Sequence, residues 1–269
     1  MNESMSMLLK KKKLFIFDLD GTLYLDGVLF PKVLELLKYI KTNNGKYVFL
    51  TNNSSRSSKE YVKKIQKLGI ICDISNVATS TQATIHYVKE NNSEDLFYVV
   101  GTKSMISEMR EAGILVADEY QSEIDGVILG YDTELDYKKL VIASKLITEG
   151  KIYIASHPDL VCPVEFGFVP DCGAFAKMLE YATKRVPLVI GKPKKLIVDL
   201  ILERTNFLPS ESILVGDRLY TDIVCGQNAG IDTLLVLSGE TKIEDVMHNT
   251  KKPTCILEDV AALYEILDS

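Results

Sequence analysis

Cysteine, long apolar runs and positive charge are all in short supply in this 269-residue chain, and each shortage excludes a class of protein. The five cysteines (Cys72, Cys162, Cys172, Cys225, Cys255) are odd in number and scattered, which argues against a disulfide framework. Cys162 and Cys172 are not spaced as paired zinc ligands. No apolar run approaches the roughly 18 residues of a membrane span. Behind the basic run Lys10–Lys13, the stretch Leu14–Phe17 is too short for the apolar region of a signal peptide. Lysine and arginine number 31 against 37 aspartates and glutamates, for a net charge of −6, so no general attraction to nucleic acid or to an anionic membrane is expected. Internal repeats, low-complexity tracts and Gly/Ser linkers are also missing. What is present is 46% hydrophobic and 25% charged residues, the composition of a globular chain with ample core material, long enough for one large or two modest domains. The expectation is a cytoplasmic protein with neither nucleic-acid nor membrane partners.

Short apolar blocks alternate with helical patterns. Leu14–Phe17 has no polar alternation, as suits a parallel strand buried on both faces. Val33, Leu36, Leu37 and Ile40 follow at helical spacing, then a strand at Tyr47–Leu50 and a helix from about Ser58 to Leu68. The pattern returns with a helical stripe from Leu196 to Ile201, a strand at Ile213–Val215, a short helix from Asp222 to Ala229, strands at Thr233–Leu237 and Thr254–Leu257, and a final helix carrying Val260 to Leu267. Such alternation predicts an α/β fold with a Rossmann-like, doubly wound parallel sheet as its core. The middle of the chain has its own strands (Leu96–Val100, Gly126–Leu129, Lys151–Ala155) and helices (Lys103–Glu111, Tyr137–Glu149, Ala174–Thr183). The predicted organisation is therefore core 1–78, inserted α/β cap domain 79–185, and core 186–269, with two chain crossings as in a hinging lid.

Four motifs stand just past the carboxyl ends of strands or at helix starts, where ligands bind in such sheets. In Asp18-Leu19-Asp20-Gly21-Thr22, two carboxylates two residues apart can share a hard cation; one is a candidate nucleophile and the other a candidate general acid and base. The same pattern also serves as a plain acidic turn. Thr51-Asn52-Asn53-Ser54-Ser55 sets a hydroxyl and turn amides where a phosphate can be received, or where a helix is simply capped. Gly191-Lys192-Pro193 precedes the Leu196 helix; proline fits its first turn and leaves the ammonium able to reach an anion. Gly216-Asp217-Arg218-Leu219-Tyr220-Thr221-Asp222 supplies two more carboxylates, which with Asp18 and Asp20 could complete an all-oxygen magnesium site, or could merely complement a helix dipole.

Taken in order, the four motifs strongly resemble those of the haloacid-dehalogenase superfamily of phosphatases, and within it the class IIA branch of NagD-type and p-nitrophenyl-phosphatase-like enzymes. The resemblance spans residues 13–240. Spacing agrees: Thr51 follows Asp18 by 33 residues, leaving no room for a cap there, whereas Lys192 follows Thr51 by 141. A direct crossover needs about 30 residues. The excess matches a type C2 cap between the second and third motifs. The resemblance implies a Mg2+-dependent phosphomonoester hydrolase acting on a small phosphorylated metabolite, a sugar phosphate, a nucleoside monophosphate or similar. It implies Asp18 as nucleophile forming an aspartyl-phosphate and Asp20 as general acid and base. Magnesium would be held by Asp18, the Asp20 carbonyl, Asp217 and Asp222, the last directly or through water. Thr51, Asn52, Asn53 and Lys192 would bind the phosphoryl group, and a cap-mediated homodimer is consistent with the family.

Two rivals fit less well. A phosphomutase carries its cap between the first two motifs, and a receiver-like phospho-acceptor lacks both the Asp-x-Asp form and a large insertion. In the cap, Ala155-Ser156-His157-Pro158-Asp159 stands where relatives often have Thr-Asn-x-Asp, so His157 replaces a common asparagine. Because core motifs meet only the phosphoryl group, substrate choice is expected to rest on cap residues, with His157 and Asp159 as candidates; His157 reads more readily as a structural or merely exposed histidine. Cys172, with no histidine nearby in sequence, reads as a packing residue.

Overall fold

The computed structural model describes residues 3–269. Its contacts divide them into two units: the core, residues up to 51, 62–78 and 192–269, and the cap, residues 52–61 and 79–191. The core sheet has six strands in the order Cys255–Leu257, Asp232–Val236, Ser212–Gly216, Leu14–Phe17, Lys46–Thr51, Val77–Thr79. Leu14–Phe17 is fully buried, and it pairs in parallel with Ser212–Gly216 on one side and Lys46–Thr51 on the other. Phe17 stands level with both Val215 and Phe49, so the residues that follow each strand emerge side by side. The chain runs outward from this central strand in both directions, and the crevice beyond its carboxyl end is the topological switch point where α/β sheets bind ligands.

The helices follow the apolar spacing. Val33–Thr42 buries Val33, Leu36, Leu37 and Ile40, and Val260–Asp268 buries Val260, Leu263, Ile266 and Leu267. Where the sequence predicts one helix from Asp222 to Ala229, the chain instead forms a π-helical turn, Leu219–Ile223, followed by a short α-helix, Val224–Asn228. The Leu196–Thr205 helix starts three residues beyond Pro193, so that proline does not occupy its first turn.

The cap holds a five-stranded sheet in the order Leu188–Val189, Ile152–Ala155, Gly126–Leu129, Leu96–Val100, Leu115–Ala117, with every adjacent pair parallel. Tyr137–Thr148 and Cys172–Thr183 pack their apolar faces on it, around Leu129, Leu146, Tyr153 and Leu179. The cap extends past the predicted boundary at 185 because Leu188–Val189 pairs as an edge strand with Ile154 and Ala155. It also takes in 52–61, so the chain passes between units at 51/52, 61/62, 78/79 and 191/192 rather than twice. Among the described residues no helix is long and apolar enough to cross a membrane.

Candidate active site

Asp18 follows the central strand directly, its backbone N–H donating to the Val215 carbonyl at 2.9 Å. Two residues later Asp20 begins a reversal that Gly21 makes possible. Gly21 has φ +84°, and a Cβ there would lie 2.6 Å from Asp217 Oδ2, so both the turn and the approach of Asp217 require glycine. Asp217 follows the neighbouring strand. Its Oδ2 accepts from the Glu240 backbone N–H at 2.8 Å and its Oδ1 from the Thr22 hydroxyl at 3.3 Å. Asp222 sits within the π-helical turn, folded back so closely that a Cβ on Gly216 would be 2.4 Å from its own Cβ. Lys192 enters from the far side of the sequence, 3% exposed, and donates to Asp18 Oδ1 at 2.5 Å and to Asp222 Oδ1 at 2.6 Å.

Asp18, Asp217 and Asp222 each present a carboxylate oxygen within 4.8 Å of the other two. Such crowding is costly for the charged forms. Burial pushes Asp18 well above the usual carboxylate range; Lys192 opposes this, while Asp222 and Asp217 add to it. Burial, and then Asp222, raise Asp217 to about 6. For Lys192, burial works against the charge, but Asp18 and Asp222 outweigh it and hold the ammonium protonated. The cluster is thus a set of buried hard oxygen donors with more negative charge than Lys192 neutralises. That donor set fits a small divalent cation.

Asp20, expected to offer a metal its backbone carbonyl, keeps its carboxylate outside this cluster. It is half-exposed, accepts from the Tyr24 hydroxyl at 3.3 Å and lies 3.9 Å from Lys64 Nζ. Thr51 ends its strand buried, 5% exposed. Arg218 went unassigned in the sequence despite lying between two motif aspartates. Its Nε lies 2.9 Å from Glu240 Oε2; burial disfavours its charge, and Asp18 and Glu240 more than restore it.

The other predicted binding residues belong to the cap unit. The Asn52 side chain donates to both oxygens of Asp159, at 3.1 and 3.2 Å. Asn53 Oδ1 accepts from the Ser55 N–H and hydroxyl at 2.9 and 2.7 Å, closing a local turn. His157, a candidate for either a substrate contact or a structural role, lies in the interior of the cap unit. It is fully buried, with Nδ1 3.5 Å from Asp159 and Nε2 3.5 Å from Asp171. Asp171 caps the Cys172–Thr183 helix. Burial pushes the Cys172 thiol up to about 12, leaving it inert.

Two family models cover most of the chain: haloacid dehalogenase-like hydrolase over residues 15–115 and HAD-hydrolase-like over 189–263. The acid sugar phosphatase of Staphylococcus haemolyticus is 31% identical over 252 residues, 94% of this chain and 95% of its own. The chain belongs to the haloacid dehalogenase-like hydrolases. The structure of 4-nitrophenylphosphatase from Thermotoga maritima is 38% identical, with a TM-score of 0.92 over 97% of this chain and 99% of that one. A glycerol phosphate phosphatase from Mycobacterium tuberculosis, solved in complex with magnesium, is 27% identical with a TM-score of 0.89, covering 95% of this chain and 77% of that one. Within the family this hydrolase is a class IIA phosphatase, an enzyme that cleaves small phosphate monoesters.

Proposed function

We propose that this phosphatase hydrolyses a sugar or polyol phosphate by transferring the phosphoryl group to Asp18 and then to water. The carrying observation is the buried ammonium of Lys192 held between Asp18 and Asp222, beside Asp217. In the first step an Asp18 carboxylate oxygen attacks phosphorus and the ester P–O bond breaks. The leaving alcohol oxygen takes its proton from the Asp20 carboxylic acid. In the second step water attacks the phosphorus of the aspartyl-phosphate, giving its proton to the Asp20 carboxylate, and the bond to Asp18 breaks. The products are the alcohol and inorganic phosphate, with both aspartates restored.

Asp18 must be ionised to attack, and Lys192 is the group that opposes the effect of burial on it. The Thr51 hydroxyl, the Asn52 backbone amide and the Lys192 ammonium are the donors for the phosphoryl oxygens, whose charge must be met in the transition state. Asp18, Asp217 and Asp222 would hold magnesium, which would supply further positive charge to the phosphoryl group. The preference for a sugar or polyol ester rests on the acid sugar phosphatase and glycerol phosphate phosphatase relatives. Five free cysteines suit a reducing, cytoplasmic setting. A panel of phosphate monoesters assayed with magnesium tests the reading. Sugar or polyol phosphates should give the highest kcat/KM among natural esters, and a clear preference for nucleoside monophosphates would overturn the substrate class.

A further inference from the structure

We infer that Tyr24 and Lys64 are positioning residues for the Asp20 carboxyl, fixing the proton donor where the leaving oxygen departs. The inference rests on the reading of Asp20 as general acid. Asp18 and Asp222 are held by Lys192, and Asp217 by Thr22 and the Glu240 N–H, but the Asp20 side chain is 51% exposed and outside their cluster. An exposed carboxyl samples several rotamers unless something selects one. Here both of its oxygens are engaged. The Tyr24 hydroxyl faces Oδ2 at 3.3 Å, and Lys64 Nζ lies 3.9 Å from Oδ1.

The arrangement is built in from both sides. Gly21 reverses the chain so that its N–H donates to the Tyr24 carbonyl at 2.8 Å, returning Tyr24 to the side of Asp20. The Tyr24 side chain is fully buried, so its hydroxyl is anchored by packing of the ring. Lys64 donates to that hydroxyl at 2.8 Å and stands 4.7 Å from the centre of the tyrosine ring. With the lysine as donor to the phenolic oxygen, the tyrosine proton is directed at Asp20. The ammonium also supplies the only charge of opposite sign that is paired with Asp20 among the described ion pairs.

Such a pair acts on one step. An alkoxide leaving group needs a well-placed proton, whereas p-nitrophenolate leaves without one. The ratio of kcat/KM for glycerol phosphate to kcat/KM for p-nitrophenyl phosphate therefore reads the placement of Asp20. It excludes the hydrolysis of the aspartyl-phosphate, which is common to both substrates. Asp20→Ala should lower this ratio by about a hundredfold or more, Tyr24→Phe by about tenfold, and Lys64→Met by several-fold, with Lys64→Arg returning most of the loss. Lys64 is partly exposed, so its variants carry the test if Tyr24→Phe folds poorly. If Asp20→Ala lowers the ratio but Tyr24→Phe and Lys64→Met reduce both substrates equally, the pair is structural and the inference is overturned. If Asp20→Ala leaves the ratio unchanged, the general-acid reading itself fails and takes the inference with it.

Discussion

At the Asp18 carboxyl, burial and the Lys192 ammonium pull in opposite directions, and the balance decides how much of the ionised form is present for the proposed attack. Lys192→Met removes the opposing charge and leaves three crowded carboxylates. Activity should fall by several orders of magnitude, and the metal-free protein should lose about 3–5 kcal/mol of stability at neutral pH, the usual cost of breaking a buried ion pair. Thermal unfolding without metal checks this, and an unchanged midpoint would contradict it. The neighbouring Asp217 gives a pH test. Its folded-state value of about 6 lies above the ordinary 3.8, so the native state holds the proton longer than the unfolded chain. The resulting penalty is absent below about pH 4, grows as pH rises, and is complete above about pH 6. Asp18, also raised, acts in the same direction. A divalent cation relieves this penalty, so magnesium should raise the midpoint more at about pH 7.5 than at about pH 5. Equal shifts at both would count against the cluster as the binding site.

Among the elements, those whose buried side chains are apolar were legible in the sequence. The Leu14–Phe17 strand and the helices carrying Val33 and Val260 are examples, and the four motifs lie at their ends because strand ends are where the sheet offers ligands. The helix Ser80–Asn91 was not legible, because it buries Ser80, Thr81, Ala83 and Thr84 along with Ile85 and Val88, leaving almost no apolar stripe. Glu3–Lys10 was hidden similarly, with Leu9 its one buried residue. Tyr24 and Lys64 are 40 residues apart and meet only in three dimensions. The Ser156–Asp159 turn left two readings open in the sequence, a substrate contact or a structural role. It packs against the start of the Cys172–Thr183 helix, with the Gly173 N–H donating to the Asp159 carbonyl at 2.8 Å. His157→Ala should therefore lower the unfolding midpoint, costing about 1–3 kcal/mol by leaving Asp159 and Asp171 facing each other without the ring. It should change kcat/KM for sugar phosphates and for p-nitrophenyl phosphate by the same factor. A selective loss on sugar phosphates would return His157 to the substrate-binding residues.

For the whole molecule, the insertion of a cap between the second and third motifs was readable from spacing alone, but its true extent was not. The stretch 52–61 and the edge strand Leu188–Val189 join the cap through pairing and packing that sequence spacing does not encode. Two of the four crossings fall directly after Thr51 and directly before Lys192, so both of these phosphoryl-binding candidates are chain neighbours of the cap. The expected dependence on a divalent metal belongs to this scale too. Magnesium demands compact octahedral coordination at about 2.1 Å, while calcium recruits more oxygens at longer range and engages carboxylates through both of them. Turnover should depend on magnesium and be suppressed by calcium; full activity in excess chelator would contradict the account. The most direct test of the central claim is to trap the phosphorylated enzyme. Acid quenching during turnover, followed by borohydride reduction, converts an aspartyl-phosphate to homoserine, which peptide mass spectrometry locates. The account predicts homoserine at position 18, absent from Asp18→Asn and from enzyme without substrate. Unmodified Asp18 during rapid turnover, or homoserine at another aspartate, would contradict it.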